Sequence, residues 1–455
     1  MDPDRNLIWL VPSVATCLAL LIRYEIGAGM LVVLMMMPQS LLPTRLFGVT
    51  GFNAINLPAL VLIGCALFQT QRAAGYDKRL HSAFWITAAV MAVAVIRSAL
   101  DFDALARIES HSLASASTGA AYVRDYLLKP IQVLLVLWLV ARTFQSEERQ
   151  RYLLLGCVVG FSVGCLVIMI NSGMLNMFAQ GIVPDVKSDR ELQEAFGTYA
   201  NSLQLKLGFL LIVSATLFIW GTQAAGRIVL ALCAPVLLLT MWSCHSRASL
   251  LSFVAGAAVF VALQRSHSVR WVVGGLCAAI FLMSLIAVPS YRAKAIDVVT
   301  VGPWWALYAE REDIWDPLRH DVKRHFLLGN GRHAMMRSPR YDEINLHEGG
   351  GGIDHPHNAF LEFQLDAGIV GVGAAFWLVW RAVAAMRRRL YGVAGQTAVS
   401  AAAGLCALAV FAASALSGQS LYPQHDTVVL FLLLFLGCMP PRVPPPLFTP
   451  ASAGS

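Results

Sequence analysis

Long apolar stretches, recurring along most of the chain, set the first limit on what it can become. They lie near 53–69, 80–97, 121–141, 150–171, 199–220, 227–243, 246–264, 270–288, 367–386, 397–415 and 426–439. Each is read as a crossing of the membrane, whose hydrocarbon layer is about 30 Å thick. Crossing it as an open chain calls for helix, because lipid offers no partner to a free backbone group. The balance of residues agrees. Of 455 residues, 57% are hydrophobic and 13% charged, where a soluble domain carries roughly 25% charged. The fold class read from this is an all-α polytopic membrane protein with no separate soluble domain.

Residues 7–37 are ambiguous, because Arg23, Tyr24 and Glu25 interrupt an otherwise continuous run. One bent span and a tight pair both fit. The opening segment has two aspartates before its apolar part and no small-residue cleavage site, so it is expected to stay as a span rather than be removed as a signal peptide. Short basic loops carry Arg72, Lys78 and Arg79; Arg142, Arg149 and Arg151; Arg227; Arg265 and Arg270; and Arg387, Arg388 and Arg389. The excess of basic residues assigns these loops to the cytoplasm, in alternation with 98–118, 173–198, 244–247, 289–356 and 416–425. With one crossing in 7–37, the count is about twelve spans and both termini are cytoplasmic. Residues 1–288 then hold roughly the first nine spans. Residues 289–356 form one large outer loop, and 357–455 hold a re-entrant or interfacial helix and the remaining spans.

Several function classes fall away. Nine cysteines all lie in or beside apolar runs, where a thiol usually serves as a small buried hydrophobe, so neither a disulfide framework nor a thiolate metal site is expected. The net charge of +7 collects in short loops between spans, where topology rather than nucleic acid accounts for it. No inverted internal repeat of the transporter kind is visible.

Four stretches carry the chemistry. In DHPHN, residues 354–358, Asn358 suits the N-cap of the following helix and Pro356 favours an extended approach, which sets His357 at a helix N-terminus near the outer surface. His355 and His357 are read either as capping and interface residues or as chemistry; a zinc site lacks an obvious third ligand. In CHSRASLLSF, residues 244–253, Arg247 opens an apolar span at its outer end. It either snorkels or holds something anionic. In VKSDRELQEAFGTYANSLQL, residues 186–205, Lys187, Arg190 and Asn201 precede a span, in a solvated turn or a binding loop. Inside the large loop a helix is predicted from about 307 to 326, with Arg311 and Trp315 four residues apart on one face, then a turn at GNGRH. Several outer arginines, one histidine and no acidic metal cage suit a site that holds a diphosphate without a metal and deprotonates a hydroxyl.

In the order of these elements the chain resembles the O-antigen ligase and O-antigen polymerase superfamily. The resemblance rests on Ser246–Arg247, on Arg311 with Trp315, on the turn glycines Gly329 and Gly331, and on the block from His355 to Gly371. A further match at Arg190 with FGTYAN departs from the family in having Ala200 where proline is common. The resemblance implies a GT-C-like membrane fold. It also implies transfer of a glycan from an undecaprenyl diphosphate carrier, on the periplasmic side of a bacterial inner membrane, with inversion and without cofactor or metal. Arg247, Arg190 and Arg311 would bind the diphosphate and His357 would act as base. Asn358, Trp315, His355 and Lys187 would support them, and the large loop would act as a lid. The favoured acceptor is the lipid A-core, which makes the enzyme a ligase of lipopolysaccharide biosynthesis. A polymerase joining carrier-linked repeat units and a protein O-oligosaccharyltransferase stay open. A rival of another class, a lipid or solute transporter, calls for paired ionisable groups near the middle of spans. Apart from donor and acceptor, the expected partners are membrane lipids, with no nucleic acid.

Overall fold

A computed structural model of the chain describes residues 3–42, 53–68, 77–106, 118–302, 311–347, 355–392, 398–416, 420, 422, 423 and 425–439. Every regular element among them is a helix. Among the described residues, 7 helices are long and apolar enough to cross a membrane: Lys78–Leu100, Gly119–Thr143, Glu147–Asn171, Ala200–Trp220, Ala224–Ser243, His267–Ala287 and Ala359–Tyr391. Shorter apolar helices follow the other runs at Trp9–Ile22, Tyr24–Met36, Asn56–Phe68, Leu251–Ala262, Val399–Ala415 and Val428–Cys438. Residues 7–37 form two helices, Pro3–Ile22 and Tyr24–Met36, broken at Arg23. They turn so sharply that a Cβ on Gly27 would lie 2.3 Å from the Leu20 amide nitrogen. The second of the pair has 13 residues and rises about 20 Å, less than the hydrocarbon is thick.

Small residues let the central helices approach closely, as helices in lipid require in place of a hydrophobic drive. Val399–Ala415 is rich in alanine and packs against Ala200–Trp220 and Arg247–Ala262. Gly208 and Gly256 both face Val410 across these contacts, and the Ser252 and Ser414 hydroxyls hydrogen-bond at 2.6 Å.

Polar ties collect at the two ends of the bundle. At one end Asp77 pairs with Arg381 and Arg388, Arg389 meets Glu147 and Gln150, and Arg149 meets Glu25. Asp77, Glu147, Arg149, Arg388 and Arg389 belong to the segments read as cytoplasmic, Glu25 to the ambiguous stretch 7–37 and Arg381 to the apolar run 367–386. At the other end the Arg332 amide donates to the Ala94 carbonyl and the Val186 amide to the Ser243 carbonyl. There too Ser290 donates to the His245 carbonyl and Arg311 to the Leu416 carbonyl.

Two expectations are modified. Within the loop helix read over 307–326, the described helix is Glu312–Arg324, residues 303–310 lying outside the described set. The segment after His357 is a short helix over residues 359–367, divided from the long helix that follows by the non-helical backbone of Gly368 at φ 68°, ψ −170°, so that Ala359–Gly392 is two helices across a kink. The loop docks into that interruption. Ile369 and Val370 amides, which lose their helical acceptors there, donate to the Phe326 and Leu327 carbonyls at 2.8 and 3.3 Å. In return the Asn330 and Gly331 amides donate to Leu365 and Asp366 at 2.7 and 2.8 Å.

Candidate active site

The turn at 329–332 and the first turns of Ala359–Gly392 build the floor of the site. Arg332 follows the two turn glycines and points inward, 4% exposed. One guanidinium nitrogen, Nη1, donates to Glu362 and, at 2.9 Å, to Asp366. The guanidinium lies 4.0 Å from the centroid of the Tyr422 ring. The two acidic residues, one helical turn apart, share a face, and Asp366 also accepts from the Ala334 amide at 3.0 Å. Two buried carboxylates facing one cation would be costly if the cation were lost. Beside them His333 stands in the left-handed region at φ 61°, its Nδ1 2.7 Å from the Tyr122 hydroxyl. Burial, with Arg332, Arg337 and His355 nearby, holds its pKa well below the ordinary imidazole value.

Above this floor sits the histidine segment. Asn358 Oδ1 accepts from the Phe360 and Leu361 amides at 3.0 and 3.1 Å, the N-cap its position called for. His357, the residue before it, is left-handed at φ 50°, a conformation that costs a non-glycine residue about 1–2 kcal/mol. Two side chains from the loop helix hold it there. Trp315 Nε1 donates to the Pro356 carbonyl at 2.8 Å, and Arg311 Nη1 donates to the His357 carbonyl at 2.9 Å and to Leu416 at 3.1 Å. The imidazole rings of His355 and His357 lie 4.4 Å apart, centroid to centroid. Burial, the His355 ring and the Arg311 charge together push the His357 pKa down to about 3. The ring is therefore neutral at physiological pH.

Of the arginines expected to meet at a diphosphate, Arg311 is at the histidine, and its described bonds go to backbone carbonyls. Arg247 begins the helix Arg247–Ala262. Because Ser252 faces Ser414, that helix start lies at the same end of the bundle as Leu416; the Arg247 side chain itself lies outside the described residues. Arg190 is at the surface, its side chain 90% exposed, paired with Glu194 at 2.9 Å. Lys187 is exposed nearby, its carbonyl accepting from Gln193. The Gly349–Gly352 run also lies outside the described residues. Among the described residues no group of three or more His, Cys, Asp or Glu side chains is placed to hold a metal.

Lys206 is buried in Ala200–Trp220. It lies over the Phe161 ring, 5.7 Å from its centroid, and its helix packs against the turn that carries Asp426. In this helix of 21 residues it sits about 9 Å from the start and about 6 Å from the middle, nearer the middle than the end.

Sequence reasoning missed Arg332, Asp366, His333 and Tyr422, and held Glu362 only as part of a motif. A signal was present: two acidic residues spaced i, i+4 at the head of an apolar helix demand a buried cation. An arginine locked behind a glycine turn is a ready source.

Compared with known families, residues 228–376 match a family model described as O-antigen ligase. The match spans Arg247, Arg311, Trp315, the glycine turn, Arg332, His357, Glu362 and Asp366. No curated protein matches the chain.

Proposed function

We propose that the chain, whose residues 228–376 match the O-antigen ligase family model, acts as a member of that superfamily and transfers a glycan from an undecaprenyl diphosphate carrier to the lipid A-core on the periplasmic face of the inner membrane. The acceptor hydroxyl attacks the anomeric carbon from the side opposite the diphosphate. As the new C–O bond forms, the bond to the diphosphate breaks, the configuration inverts, and the hydroxyl proton passes to His357. Arg247, with Arg311 and Arg190, would meet the charge that builds on the leaving diphosphate, a task for which a planar guanidinium is better shaped than an ammonium.

The observation that carries this reading is the setting of His357. A neutral imidazole is held in a costly backbone conformation by an arginine and a tryptophan on one helix face, and strain of that kind is characteristic of functional sites. A pKa of about 3 describes a weak base in the free protein. Arg311 is one cause of that depression, so a diphosphate bound beside Arg311 would offset it and strengthen the base once the donor arrives.

The test is transfer by purified protein in lipid, given carrier-linked glycan and offered lipid A-core, a second carrier-linked repeat unit, or a protein acceptor in turn. The wild type is expected to modify lipid A-core. His357→Ala is expected to lose about 10²–10⁴-fold in rate, the range typical of a general base, with donor binding little changed. Full activity of His357→Ala would reject the mechanism, and modification of another acceptor alone would reassign the substrate.

A further inference from the structure

We infer that the tip of the loop helix, residues 323–328, is seated in the membrane leaflet at that end of the bundle, its apolar side chains among acyl chains and its basic ones at phospholipid headgroups. The inference rests on the long helices crossing a bilayer and not on the transferase reading.

The sequence KRHFLL ends the helix in two parts, two cations and then three large apolar residues. Phe326, Leu327 and Leu328 are 49%, 64% and 68% exposed. Three consecutive large apolar side chains turned outward on a loop of otherwise mixed polarity need an apolar neighbour.

Geometry says which neighbour. The loop helix runs alongside the first turns of Ala359–Gly392 in the same direction. Near its start Trp315 meets Pro356, and past its end Phe326 meets Ile369. It therefore descends, and its tip is tied to the main chain at Gly368. Residues 369–380 of that helix, IVGVGAAFWLVW, carry no charge, and Trp380 is 70% exposed, as a lipid-facing residue would be. Gly368 thus marks the outer boundary of the apolar layer, and Leu327 and Leu328 are level with it. Other outward apolar residues lie near them: Ile369 and Val370, whose amides bond the Phe326 and Leu327 carbonyls, and Ile96 and Leu100 on Lys78–Leu100. Arg97, between the last two, donates to the Gly329 carbonyl at 2.7 Å.

The charges complement a phospholipid surface. Lys323 and Arg324 are exposed on the turn just before the apolar triad, and Arg97 is exposed beside it. Cations directly above buried apolar residues are the arrangement of an interfacial anchor, in which basic side chains meet anionic headgroups. The large loop is thereby a partly immersed structure rather than a purely aqueous one.

The full-length protein is reconstituted into nanodiscs of phosphatidylethanolamine and phosphatidylglycerol, with a photoreactive benzoylphenylalanine at position 328, 313 or 380. Asp313 is exposed at the other end of the same helix, about 17–20 Å from the tip. Trp380 serves as the site within the span. Position 328 is expected to give phospholipid adducts within about twofold of position 380 and at least tenfold above position 313. Adducts at 328 no more frequent than at 313 would overturn the proposal. With Lys323→Glu and Arg324→Glu added, the share of phosphatidylglycerol among the adducts at 328 is expected to fall several-fold. An unchanged share would remove the headgroup half of the proposal. Neither readout depends on glycan transfer.

Discussion

Gly329 and Gly368 occupy one contact from opposite sides. A Cβ on Gly329 would lie 2.4 Å from the Asp366 carbonyl group, and one on Gly368 would lie 2.2 Å from the Leu327 carbonyl oxygen. Both also stand at positive φ, 63° and 68°, so two independent constraints forbid a side chain at either place.

Gly368→Ala is therefore expected to destabilise by about 2–5 kcal/mol, combining left-handed strain with backbone overpacking. The effect should appear as a clear fall in melting temperature in detergent. Gly373→Ala, where an added Cβ meets nothing within 4 Å, should leave the melt unchanged. Equal melts for the two variants would show that the loop does not dock as described.

Arg332→Met should cost about 3–5 kcal/mol, because it leaves Glu362 and Asp366 buried without their cation. Adding Glu362→Gln and Asp366→Asn to that variant should recover part of the loss, since the uncompensated charge is then gone. The comparison is again a thermal melt, and no recovery in the triple variant would assign the loss to packing on Tyr422 instead.

Much of this architecture was legible in the sequence, and the division between legible and hidden follows the range of the forces involved. The apolar runs, the Asn358 cap and the glycine turn are encoded within a few residues, by periodicity, by a side chain that bonds its own helix, and by a backbone only glycine adopts cheaply. The hidden parts are long-range. Arg332 finds its carboxylates 30 and 34 residues away. Arg311 was expected at a phosphate, and its described bonds are to carbonyls 46 and 105 residues distant. A backbone carbonyl has no residue-type signature, so nothing in the sequence marks it as an arginine's partner. The break at Gly368 was hidden too, because the amides it frees are satisfied by a different part of the chain.

The pH profile should separate free from donor-loaded protein. The base works when neutral, so activity falls as pH drops through the His357 pKa. With that value depressed to about 3 in the free protein, kcat/KM for the donor should show no His357 limb near the ordinary 6.5. In kcat the limb should lie at higher pH, because the bound anion offsets Arg311. Coincident acidic limbs near 6.5 in both parameters would show an unperturbed imidazole.

Arg311→Lys should lower kcat by roughly tenfold or more while leaving donor affinity less affected, because the lysine ammonium sits on a shorter stem than the Nη1 that reaches both the His357 and Leu416 carbonyls. Trp315→Phe, which removes the bond to Pro356, should act in the same direction. Arg247→Lys should instead weaken donor binding along with rate. Arg190→Ala, at an exposed and already paired arginine, should be the mildest of the set. The measurements are kcat, KM and binding of a carrier-lipid analogue for each variant.

Transfer should persist in EDTA, since arginine can answer the diphosphate charge that a divalent ion meets elsewhere. Loss of activity on chelation, restored by magnesium or zinc, would place a metal in the reaction.

Through Arg311 a single guanidinium joins three stretches remote in sequence: the loop helix it begins, the carbonyl of His357, and the end of the helix Val399–Ala415. A loop fastened this way at its head, and at its tip by the exchange of amides and carbonyls around Gly368, cannot swing aside while its histidine stays behind. Local unfolding should consequently be cooperative, with amides of 312–325 and of 359–367 exchanging at one common rate. Each turnover then begins from a preassembled site, with little ordering entropy to recover, and substrates must reach it along the flank of the helices rather than beneath a lifting cover.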